Sequence, residues 1–75
     1  MDYKAFFAEV VDWINQSNQK AMKHGIDSME FWRWVTQSTG EICNKYSNNP
    51  LVVKQMSMLY QWLEEVYENG KVNVK

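Results

Sequence analysis

The sequence predicts an all-α fold: a small antiparallel, up-down-up three-helix bundle with helices over about residues 2–23, 28–47 and 50–69. Three observations predict it. Apolar residues recur at helical spacing through three segments, and helix-starting and helix-ending residues punctuate the gaps between them. No segment shows the sustained two-residue alternation of a strand bounded by hairpin turns. The gaps are only a few residues long, which makes neighbouring helices reverse direction. Residues 1–70 read as one helical domain and 71–75 as a short flexible tail.

The first helix is expected to start at Asp2, whose carboxylate can accept the free N–H groups of the first turn. Its apolar stripe is Tyr3, Phe6, Phe7, Val10, Trp13, Ile14 and Ala21. Acidic residues precede Lys20 and Lys23, the order the helix dipole favours. Gly25 ends it, because glycine adopts the left-handed C-cap conformation at little cost. The second helix is expected to begin at Asp27, with Asp27 and Glu30 as a capping box. Its stripe is Phe31, Trp32, Val35, Thr39, Ile42, Cys43 and Tyr46, and it ends near Ser47. Gly40 is its weak point, costing about 1 kcal/mol against alanine. The third helix has the strongest start: Asn49 as N-cap and Pro50 at the first helical position, where a missing N–H costs nothing. Its stripe is Val52, Met56, Leu59, Trp62, Leu63 and Val66, and Gly70 is expected to end it. On that stripe, Trp62→Ala should cost about 3–5 kcal/mol.

Composition narrows the function. Eight basic residues against nine acidic ones leave a net charge of -1 on 75 residues. That near-balance argues against a basic nucleic-acid arm and an acidic disordered tail. A single Cys allows no internal disulfide. No apolar run reaches the roughly 18 residues of a membrane span, and the first residues lack the pattern of a secretory signal. A cytoplasmic location is the expectation. Lysine far outnumbers arginine and asparagine is frequent, as in an AT-rich gene of bacterial or phage type.

Catalysis requires a nucleophile with a base, paired carboxylates in a cleft, or a metal. His24 is the only histidine and stands at a helix end. Cys43 lies on the apolar stripe, where a structural thiol is expected, and no second Cys or His has metal-ligand spacing to it. No glycine-rich phosphate loop is present. The sequence therefore implies no enzyme, no cofactor and no metal. A helix-turn-helix could form if Gly40 broke the second helix. Its recognition helix would begin Pro50-Leu51-Val52-Val53, which offers no donors to base edges, so nucleic acid is an unlikely partner.

The surplus of large apolar side chains is the remaining signal. Aromatics make up 15% of the chain, more than a domain this size readily hides. With residues about 100° apart on a helical wheel, Trp34, Leu51, Met58 and Tyr60 fall on flanks of the core stripes. Such flanks can simply cap the edges of a bundle. They also have the composition of an interface anchor. The expected function is a non-catalytic protein–protein interaction module that self-associates, most simply as a homodimer, through Trp34, Leu51, Met58 and Tyr60. A small transcriptional or nucleic-acid-associated regulator is the alternative, and helix exchange between subunits stays open.

Overall fold

In the computed structural model, the Asp2 carboxylate accepts the Ala5 N–H at 3.0 Å and begins α1, Tyr3–His24. Two further helices follow, α2 at Met29–Lys45 and α3 at Pro50–Asn73. The structure describes the backbone of residues 1–73 and the side chains of residues 1–69. Among the described residues there is no strand, and four-residue connections join the helices at 25–28 and 46–49. The short connection at 46–49 turns α3 antiparallel to α2. The fold class is therefore the all-α, three-helix class that the spacing predicts. The chain groups into two compact units, Met1–Trp32 and Arg33–Lys75, with the division inside α2.

The first unit holds α1, its connection and the first turn of α2. Phe6, Val10, Trp13 and Ser17 are the buried residues of α1. Their spacing of four, three and four residues traces one narrow seam. Ser17 is 1% exposed, and its hydroxyl donates to the Ile14 carbonyl at 2.7 Å. That internal bond removes the penalty of burying a hydroxyl, so a serine can occupy an apolar seam. Tyr3 and Phe7, expected in the core, lie outside the seam and are exposed. The Phe7 ring rests against Phe6 at a centroid distance of 5.0 Å.

The α1–α2 connection is held at both ends. Gly25 has φ 88° and donates its N–H to the Ala21 carbonyl at 2.8 Å. A side chain is disfavoured at that φ, and an added Cβ would also come within 3.1 Å of the Asp27 carboxylate. The cap of α2 is Ser28, one residue later than the sequence suggests. Its hydroxyl donates to the Gly25 carbonyl at 2.9 Å and accepts the Phe31 N–H at 3.1 Å. Asp27 is thereby left outside the helix and Glu30 at its second position, so the expected capping box does not form. The Trp32 indole N–H donates to the Ile26 carbonyl at 2.7 Å and ties the connection to the helix that follows it.

The second unit holds the rest of α2 and α3. Val35, Val52, Met56, Leu59 and Leu63 are its buried apolar side chains. Trp62 and Val66 were expected among them, and both are 39% exposed. The buried residues of α3 span an arc of about 60°, and Trp62 lies about 60° beyond its edge.

α2 ends at Lys45 without a glycine. The Asn48 N–H donates to the Cys43 carbonyl at 2.8 Å and the Ser47 N–H to the Asn44 carbonyl at 3.0 Å. These two bonds form a Schellman motif with Ser47 at the position that glycine usually fills. Ser47 and Asn48 both have φ 56°. A left-handed conformation costs an ordinary residue about 1–2 kcal/mol. Ser47→Gly should therefore raise stability by about 0.5–1 kcal/mol once glycine's greater unfolded-state freedom is counted. A thermal melt would check it, and a lower melting temperature would show that the Ser47 side chain contributes more than its strain costs.

α3 begins as predicted, with the Asn49 side-chain oxygen accepting the Leu51 N–H at 2.9 Å. It runs to Asn73, beyond the expected stop at Gly70. Glycine inside a helix costs about 1 kcal/mol but does not by itself break it. The flexible tail expected over 71–75 reaches outside the described residues.

Candidate functional site

The two sides of the α2–α3 hairpin differ in kind. Each successive residue turns about 100° around its helix. Measured from Val35 on α2, Thr36, Thr39, Gly40 and Cys43 fall about 40–140° in the positive sense. Measured from Leu59 on α3, Met56, Ser57 and Tyr60 fall about 60–160° in that same sense. When two antiparallel helices face each other, sides of the same sense adjoin. These seven residues accordingly line one groove of about 280 Å³.

The α2 wall of the groove is built of small residues. A Cβ added to Gly40 would meet nothing within 4 Å. The Thr39 hydroxyl lies 2.9 Å from the Val35 carbonyl and 3.0 Å from the Thr36 carbonyl, so the helix backbone occupies it. No basic residue lines the groove. Cys43 is half-buried here, more open than the structural thiol the sequence suggests.

The opposite side carries the apolar surplus. Trp34 falls about 100° in the negative sense on α2, and Leu51, Met58 and Trp62 about 60–100° in the negative sense on α3. Leu51 is 40% exposed, Met58 55% and Trp62 39%, while Trp34 is half-buried. Three of the four predicted interface residues, Trp34, Leu51 and Met58, therefore share one side. Tyr60, half-buried, stands on the other side in the groove. Trp62 is the member that sequence reasoning missed. Its spacing of four from both Met58 and Val66 was the available signal. Together Leu51, Met58, Trp62 and Val66 form a second stripe on α3, centred about 90° from the buried one. In the other unit, Tyr3, Phe7 and Val11 make a comparable exposed run on α1.

The groups that could perform chemistry are dispersed. His24 is exposed at the end of α1, and Glu64 and Glu65 are exposed on α3. Among the described residues, no three His, Cys, Asp or Glu side chains are grouped so as to hold a metal ion. Among them, too, no helix is long and apolar enough to cross a membrane. No family model, curated protein or solved structure matches the chain.

Proposed function

We propose that this protein is a non-catalytic, cytoplasmic helical interaction module whose docking surface is the outer stripe of α3, with Trp34 of α2 beside it. One observation carries the reading. Leu51, Met58, Trp62 and Val66 recur at helical spacing and remain 39–55% exposed although their helix is packed on another face. Isolated exposed apolar residues are ordinary. A tryptophan, a methionine and two aliphatic residues along one stripe, with Gln55 at the step between Leu51 and Met58, have the composition of an interface centre. The reading is further supported by the separation of His24, Cys43 and Glu64 onto three different helices.

A photoreactive phenylalanine analogue placed at Met58, and separately at Gln37, tests the proposal in cells that express the protein. Both positions are exposed, and Gln37 lies outside the stripe. Irradiation should give protein adducts from position 58 and few from position 37. Equal yields from the two positions, or none from 58, would overturn it.

A further inference from the structure

The border of the α3 stripe indicates what covers it. One edge of the stripe is the buried face of the protein's own core. The other edge carries Lys54 and Glu65, about 140° and 120° from Leu59 on the side of Met58, and both are exposed. That edge is positive toward the start of the helix and negative toward its end. In a parallel pair of copies, sides of opposite sense adjoin, so Lys54 and Glu65 would face the neighbour's opposite edge and would not meet each other. An antiparallel neighbour would set Lys54 against Glu65 at both ends of the contact.

The apolar residues select the same register. In an antiparallel pair of identical helices, two positions meet when they are equidistant from the two-fold axis. Positions 54 and 65 are centred between residues 59 and 60, and positions 58 and 62 on residue 60. A single axis level with residue 60 therefore satisfies the charged pair and the apolar pair together. It also sets position 66 opposite position 54, so that the methylene stem of Lys54 covers the neighbour's Val66 while its ammonium reaches Glu65.

We infer that the outer stripe of α3 docks on the α3 of a second copy of this chain, antiparallel, about a two-fold axis level with residue 60. Met58 of each copy packs on Trp62 of the other, a favourable sulfur–aromatic contact, and a Lys54–Glu65 pair closes each end. The contact is isologous, so assembly stops at the dimer. Between the outermost positions that this register pairs, 54 and 66, it runs about 18 Å along the helix, a short interface that places the dimer in the weak, concentration-dependent class.

The inference rests on reading the stripe as a docking face. Its test is sedimentation of the full chain from about 1 µM to about 1 mM, spanning the range of weak association. The wild type should pass from monomer to dimer and no further. Lys54→Glu and Glu65→Lys each set like charges together at two places, and each should raise the dissociation constant about tenfold. The double variant restores opposite charges and should return it to within about threefold of wild type. Both residues are exposed, so the thermal melts should coincide, and rescue by the double variant is a result that misfolding could not produce. A monomer throughout the range, or a double variant no better than either single, would overturn self-pairing. If the chain is monomeric while position 58 still gives adducts with another protein, self-pairing alone falls. If it is monomeric and gives no adducts, the docking face falls with it.

Discussion

Phe31→Ala should leave little folded protein at 25 °C. The ring is fully buried, and its edge meets Trp32 at a centroid distance of 5.3 Å and an interplanar angle of 83°. Its backbone N–H is the one that the Ser28 hydroxyl accepts, so the residue anchors the start of α2 as well as the core of the first unit. Truncating a buried phenylalanine costs about 3–5 kcal/mol, because the lost transfer energy is joined by that of an unfilled cavity. A core of this size supplies about 3–5 kcal/mol in total, so one substitution removes most of it. Circular dichroism during a thermal melt should show no cooperative transition above room temperature. Phe7→Ala is the matched control. Phe7 is a ring of the same kind in the same unit but 43% exposed, and its loss should cost about 1 kcal/mol or less. If the two variants melt alike, the distinction between buried and exposed rings in the first unit is wrong.

Helix existence was legible in the sequence because caps and spacing agree. Asp2, Asn49 and Pro50 each act as local chemistry predicts, and Gly25 ends α1 as predicted, with a positive φ but a ψ of 140° outside the left-handed helical region. The misreadings occurred where two local signals competed. Asp27 and Ser28 are both competent caps, and only the connection decides between them: Ser28 can also donate to the Gly25 carbonyl. Asn48-Asn49-Pro50 sets the end of α2 near Ser47, while the Schellman bonds end the helix at Lys45, around a strained serine. On α1 the spacing marks more core positions than the seam accepts, for a related reason. Seven apolar residues compete for a seam that holds four side chains, and one of the four is a serine satisfied by its own helix. The candidate interface was partly legible. Angular position marks Trp34, Leu51, Met58 and Tyr60 as flanking, but which flanks adjoin depends on the side from which two antiparallel helices meet. The groove settles that by placing Tyr60 with Thr36 and Gly40, and Trp34 is left with Leu51 and Met58.

Neighbouring residues on α3 provide the second large effect. Leu63→Ala should cost about 3 kcal/mol, within the range for removing a buried leucine side chain, since Leu63 is 4% exposed. Trp62→Ala, removing the larger side chain next to it, should cost about 1 kcal/mol, because much of the indole already faces water. For a domain of this length each kcal/mol corresponds to about 4–8 °C in Tm. Leu63→Ala should therefore lower Tm by more than 10 °C and Trp62→Ala by about 5 °C. The order reverses for association. Trp62→Ala removes the ring that Met58 of the second copy would meet and should weaken the dimer about tenfold or more, as loss of an interface tryptophan does. Leu63→Ala should leave self-association of the remaining folded protein near the wild-type value. Scanning calorimetry and sedimentation on the same two variants separate the roles of the two faces. An equal fall in Tm for both would return Trp62 to the core, and the second stripe would then be no more than the edge of the first.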